Sequence, residues 1–131
     1  MKSQIKSIGL ASPGKPIPQE LICSFMQKAH DLDAQESRKL AYVYRKSGIA
    51  QRYSVLEDFK FSNVEDFRFF PKNKRLEPFP TTDCRMEVFR QVAPQLASEA
   101  IEKCLEKSKL EPNQITHLIL ISCTGMYAPG V

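Results

Sequence analysis

The chain has 131 residues, 42% hydrophobic and 26% charged, and its 19 basic against 15 acidic side chains leave a formal charge of +4. That balance fits a soluble globular domain and excludes a disordered, fibrous or membrane-spanning polypeptide. The basic excess is scattered. Its densest spots, Lys72-Asn73-Lys74-Arg75 and Arg45-Lys46, are too short to predict nucleic-acid binding on electrostatics alone, so no nucleic-acid partner is expected.

The N-terminus, Met1-Lys2-Ser3-Gln4-Ile5-Lys6, lacks the apolar stretch of a signal peptide, and no run approaches the ~18 apolar residues of a membrane span. A cytoplasmic location and no membrane partner are the expectation. Cys23, Cys84, Cys104 and Cys123 lie tens of residues apart, without the C-x-x-C or paired-histidine spacing of a metal site, so they read as thiols in a reducing compartment.

In chain order, residues 4–11 carry Ile5, Ile8 and Leu10 and read as a strand, closed by the turn Ser12-Pro13-Gly14-Lys15-Pro16. Pro18 suits the first residue of a helix whose Leu21, Ile22, Phe25, Met26 and Ala29 fall on one face. Asp31 or Asp33 caps a second helix in which Leu40, Val43 and Tyr44 point one way, and Gly48 stops it. A short strand is expected within Ile49–Leu56. Residues 57–82, with Phe59, Phe61, Phe67, Phe69 and Phe70 followed by three prolines, show no period. A loop this long is functional or borrows order from a neighbouring chain.

From Asp83 a helical pattern resumes, with Met86, Phe89, Ala93, Leu96, Ala97, Ala100, Ile101, Cys104 and Leu105 as a core stripe. Pro94 predicts a kink or two abutting helices near Val92. After the turn at Lys109–Asn113, the apolar run His117-Leu118-Ile119-Leu120-Ile121-Ser122-Cys123 reads as a parallel strand covered on both faces. Ligands in open α/β sheets bind beyond the carboxyl ends of such strands, here Cys123 to Gly130. Three strands are few for a complete sheet. His117 reads as a strand-flanking histidine with a satisfied hydrogen bond rather than a catalyst, and neither His30 nor any paired carboxylate suggests acid–base work.

Several motifs, in order and at family-like spacing, resemble the type III polyketide synthases, the chalcone synthase relatives among the thiolase-like enzymes. They are Lys46-Ser47-Gly48-Ile49 with Arg52-Tyr53, Phe79-Pro80-Thr81-Thr82 with Arg85-Met86, Ile115-Thr116-His117-Leu118-Ile119, and Ser122-Cys123-Thr124-Gly125 with Tyr127-Ala128-Pro129-Gly130. The resemblance implies the N-terminal part of a thiolase-like α/β layered fold, a mixed and mostly parallel sheet with flanking helices, incomplete over residues 1–131 and with no complete domain boundary inside them. It implies acyl-CoA and malonyl-CoA as substrates, no other cofactor, and a homodimer.

The family's Cys, His and Asn catalysts match none of these residues, so the chain alone is expected to be inactive. Cys123 and Thr124 correspond to positions lining the family's active-site cavity. Ala128 stands where chalcone synthases carry a methionine that reaches the partner subunit, and it is too short to reach as far. Aligned on Lys46-Ser47, the three basic residues with which plant members bind coenzyme A phosphates fall on Lys39, Tyr42 and Lys46, with Arg38 and Arg45 near enough to substitute. Other readings are a fragment of a ketoacyl synthase III or hydroxymethylglutaryl-CoA synthase relative, and a non-catalytic acyl-binding or interaction module.

Overall fold

The computed structural model describes residues 3–122 and residue 125, and its contacts gather into two compact units. The first to be considered, residues 13–81, holds a two-residue strand β1 (Ile17–Pro18), helices α1 (Gln19–Ala29) and α2 (Ala34–Lys46), and a second two-residue strand β2 (Gln51–Arg52). The strands pair antiparallel, Ile17 with Arg52 and Pro18 with Gln51.

The two candidate cap residues divide the work. Asp31 takes the left-handed conformation (φ +48°), and with Asp31 N–H donating to the Lys28 carbonyl and Leu32 N–H to that of Gln27, it ends α1 in a Schellman turn. Asp33 starts α2: its Oδ1 accepts from the N–H groups of Gln35 and Glu36 at 2.7 and 2.8 Å, while Glu36 Oε2 accepts from Asp33 N–H at 3.2 Å. This is a reciprocal capping box. The four residues between the helices fold them back as an antiparallel pair, and Gln27 Nε2 donates across to the Ser37 carbonyl at 2.9 Å. Pro18 is the residue before α1 rather than its first. Gly48 adopts φ +69° just beyond α2, as its stop.

The aperiodic segment supplies the core. Short 3-10 turns at Glu57–Lys60 and Val64–Asp66 bring Phe59, Phe67 and Phe70 around Phe25 of α1, with ring centroids 4.7, 5.6 and 5.0 Å away. Ala29 and Leu76 complete the buried cluster. Within this chain the loop is thus packed against α1. The expected face of α1 is corrected at one edge: Leu21 is exposed, and Cys23 is buried in its place. On α2 the expected apolar side is split, since Val43 is exposed whereas Leu40 and Tyr44 are half-buried.

One charged group lies inside this unit. Asp58 is 1% exposed; its Oδ1 accepts from Arg68 N–H at 3.1 Å and its Oδ2 from Phe69 and Phe70 N–H at 2.9 and 2.8 Å. The carboxylate thus meets three backbone donors in the stretch that delivers the phenylalanines.

In the second unit, α3 (Thr82–Ser108) runs without interruption through Pro94, so of the kink or two abutting helices expected near Val92, the division into two helices does not occur. Proline forfeits one backbone bond, but dividing the helix would add two new ends, each with unsatisfied groups. Residues 4–11 are not a strand. They lie antiparallel against the C-terminal half of α3, where Ser7 Oγ donates to the Cys104 carbonyl at 2.7 Å and Lys103 and Lys107 donate to the carbonyls of Leu10 and Ile8 at 3.2 and 3.1 Å. Gly9 permits this approach, because a Cβ there would overlap the backbone of Ala100 and Cys104.

The stripe of α3 is half-buried at most and no residue of the helix is fully buried, so it is not a closed core. Residues 117–122 form no strand, and Leu118 to Ile121 are 55–90% exposed. A strand exists only through partners for its N–H and C=O groups, and none pairs with this run among the described residues.

Removing the Asp58 carboxylate orphans three buried-side donors at roughly 1–3 kcal/mol each, discounted for relaxation. Asp58→Ala is therefore expected to lower the unfolding free energy by about 3 kcal/mol in urea denaturation, and Asp58→Asn by less. Coincident midpoints for Asp58→Ala and the parent would show that the phenylalanines hold the loop unaided.

Candidate functional site

Among the described residues, the basic side chains singled out from the sequence come together on α2. At about 100° per residue, Arg45, Arg38, Tyr42, Gln35, Lys46 and Lys39 follow one another around an arc of about 120°. Arg38, Lys39, Arg45 and Lys46 are all exposed, and Tyr42, near the middle of the arc, is 54% exposed. Lys46 Nζ stands 5.7 Å from the centre of the Tyr42 ring, within cation–π range. The scattered charge of the chain is thus concentrated locally: the arc holds four cations and no carboxylate.

Two surfaces flank this face. Gln35, Arg38, Lys39, Tyr42 and Val43 line a shallow cleft. On the α1 side, a groove of about 360 Å³ runs between the two helices, lined by Gln19, Cys23, Gln27, Ala41, Tyr44 and Arg45 among others. Arg45 therefore bridges the exposed face and the groove.

The end of α2 is fixed by a polar network that explains the Lys46-Ser47-Gly48-Ile49 and Arg52 motif. Ser47 Oγ donates to the Tyr44 carbonyl at 2.6 Å and accepts from Ile49 N–H at 3.2 Å and from Gln19 Nε2 at 3.4 Å. A hydroxyl has one proton and two lone pairs, so all its capacity is used. Gln19, 5% exposed, also accepts from Arg52 Nε at 3.0 Å on its Oε1 and donates its backbone N–H to the Ala50 carbonyl at 3.0 Å. The start of α1, the end of α2 and the β1–β2 pair are tied together there. Gln19 carries no signal in the sequence, because a buried amide becomes meaningful only once its partners are placed.

Cys23 lies in the wall of the groove, where burial raises its thiol above the ordinary cysteine range. A raised pKa depletes the thiolate, opposite to what a nucleophile needs. Cys104 Sγ sits 2.9 Å from Ser7 Oγ; with the serine proton committed to a carbonyl, the thiol is the donor in that contact. No cluster of metal-ligating side chains occurs among the described residues, and among them no helix is long and apolar enough to cross a membrane.

Cys123, Thr124 and Ala128 lie outside the described residues. Beside them, Gly125 has φ +88°, donates its N–H to Met86 Sδ at 3.3 Å, and leaves no room for a Cβ against the Phe89 ring. Both its conformation and its closeness to α3 require glycine.

Comparison with known proteins gives a single direction. The family profile described as "Chalcone and stilbene synthases, N-terminal domain" matches residues 1–131. The chain is similar to "Type III polyketide synthase A" of Arabidopsis thaliana, 26% identical over 130 residues, covering 98% of this chain and 31% of that protein. It is 28% identical over 129 residues to "Probable polyketide synthase 1" of Dictyostelium discoideum, covering 98% of the chain but 4% of that protein. Among solved structures, PKS-I of the brown alga Ectocarpus siliculosus superimposes with a TM-score of 0.64 at 20% identity, over 84% of this chain and 30% of that one, which establishes the fold. The chain thus spans under a third of the length of these relatives.

Ser47→Ala removes a saturated hydroxyl and leaves the Gln19 amide and Ile49 N–H without their acceptor, a loss of about 1–2 kcal/mol by chemical denaturation. Because the network sits at one end of the pair, hydrogen exchange is expected to quicken at Ile49 and the last turn of α2 before it changes around Phe25.

Proposed function

The chain belongs to the chalcone and stilbene synthase N-terminal domain family, and on that premise we propose that it is the N-terminal-domain portion of a cytoplasmic, homodimeric type III polyketide synthase. In this reading the whole enzyme moves a starter acyl group from coenzyme A to a cysteine supplied outside these residues. It then decarboxylates malonyl-CoA, and the resulting carbanion equivalent attacks the acyl thioester to lengthen the chain. Coenzyme A thioesters serve as substrates, and no further cofactor is invoked.

The segment contributes binding and shape. Lys39, Arg45 and Lys46 hold the phosphates of coenzyme A, Cys123 and Thr124 line the cavity, and Ala128 leaves space there that a longer side chain would fill. The observation that carries this reading is the arc of four cations on α2 without a carboxylate among them, on a chain matched over its whole length by the family profile. Lysine and arginine both suit phosphate, as point charge and fork respectively. The negative end of the α2 dipole, equivalent to about half a charge, opposes anion binding but is outweighed by four full charges.

Two outcomes test the proposal. Incubated with an acyl-CoA and malonyl-CoA, the 131-residue chain is expected to release no carbon dioxide; release by the pure chain would place a nucleophile within it. Titration calorimetry with coenzyme A is expected to show about a tenfold rise in Kd for the Lys39→Ala, Lys46→Ala double variant, equivalent to about 1.4 kcal/mol, and a weaker salt dependence. Unchanged affinity and salt slope would remove α2 from the binding site.

A further inference from the structure

The middle of the α2 face is aromatic, which phosphate binding alone does not call for. In the resemblance described above, Tyr42 falls on the second of three basic positions, which would set a flat ring there in place of a cation. That ring is 54% exposed beside Val43, itself 61% exposed, and both line the cleft whose other walls are Gln35, Arg38 and Lys39. Lys46 Nζ lies 5.7 Å from the ring centre. The surface therefore offers an apolar floor with cations on its rim.

Each simple occupant satisfies half of this surface. Inorganic phosphate would meet the cations and leave the ring wet, whereas an acyl chain would cover the ring and leave the cations unmatched. A planar heterocycle carrying phosphates on its sugar uses both, since bases stack on aromatic side chains while basic residues track the phosphates.

We propose that Tyr42 is a specificity-determining residue that stacks on the adenine ring of coenzyme A, with Arg38, Lys39, Arg45 and Lys46 disposed around it toward the nucleotide's phosphates. The inference rests on the acyl-CoA reading above and adds to it recognition of the base. Tyr42 exchanges phosphate charge for stacking, so affinity at this face depends less on salt than it would with a fifth cation.

The test titrates coenzyme A, adenosine 3′,5′-bisphosphate and 4′-phosphopantetheine into the 131-residue chain and its Tyr42→Leu and Tyr42→Phe variants. Leucine keeps helix propensity and removes the aromatic face, and phenylalanine restores the face without the hydroxyl. For Tyr42→Leu, Kd is expected to rise about tenfold for coenzyme A and the bisphosphate, with phosphopantetheine unchanged. Tyr42→Phe is expected to stay within about twofold of the parent.

Equal coenzyme A affinity in Tyr42→Leu and the parent, alongside weakened binding in the Lys39→Ala, Lys46→Ala variant, overturns the stacking assignment and leaves the acyl-CoA reading standing. Absence of coenzyme A binding by the parent, or its indifference to the lysine changes, overturns both. Tighter binding of a deoxyadenylate oligonucleotide than of coenzyme A reassigns the face to single-stranded nucleic acid and also overturns the proposal.

Discussion

One buried carboxylate organises the half of the molecule that contains α2. Asp58 accepts three consecutive backbone N–H groups, from Arg68, Phe69 and Phe70, and so fixes the stretch on which Phe67 and Phe70 ride. Those rings close over Phe25, and Phe25 belongs to α1. The helix pair depends on that closure, because α2 has no fully buried residue of its own and most helical stability in proteins comes from tertiary packing rather than propensity. A charge inside an apolar cluster is costly unless its oxygens are well served; here both oxygens are, and the phenylalanines arrive as a result.

The cationic face of α2 is secured by a second and separate device at the opposite end of the helix pair from its connection. The Ser47, Gln19 and Arg52 network anchors the last turn of α2 to the start of α1 and to the short strand pair. The cations themselves take part in almost none of this. Of the four, only Arg38 makes a backbone contact, Nε to the Ala34 carbonyl at 3.1 Å, and Lys46 leans on Tyr42. The residues that fix α2 and the residues of its exposed cationic face are thus largely different, so the exposed face can be substituted without loosening the fold.

What was legible in the sequence was local. Both helices of the first unit, the capping role of Asp33 and the stop at Gly48 follow from side-chain chemistry within one turn of the chain, and the structure places them there. The segment 57–82 was opaque because its core has no period: five phenylalanines stand at irregular spacing, and the bonds that Asp58 accepts from the backbone of Arg68, Phe69 and Phe70, which fix part of the stretch, are revealed only by a folded chain. The run 117–122 shows the converse limit. Its apolar character was read correctly, but a strand is a relation between segments, and among the described residues no partner is present. Pro94 does not divide α3 in two, for an energetic reason: one lost bond is cheaper than two new helix ends. Of the candidate site, Lys39, Arg45 and Lys46 were legible through resemblance and are brought to one face; Gln19, which holds that face in place, was not.

The connection between α1 and α2 is four residues long, and its two aspartates hold opposite duties, one ending a helix and the other beginning one. Its length is therefore a rotational setting. Adding one residue inside α2, between the cap and Arg38, would turn everything beyond it by about 100° around the helix axis. The four cations would keep their number, charge and mutual spacing and would turn together with Ser47 and the α2 wall of the groove, so that all of them face a different direction from α1. Relatives with equally basic helices need not present the same binding surface. Counting residues between the cap and the first cation distinguishes them in a way that counting charges does not.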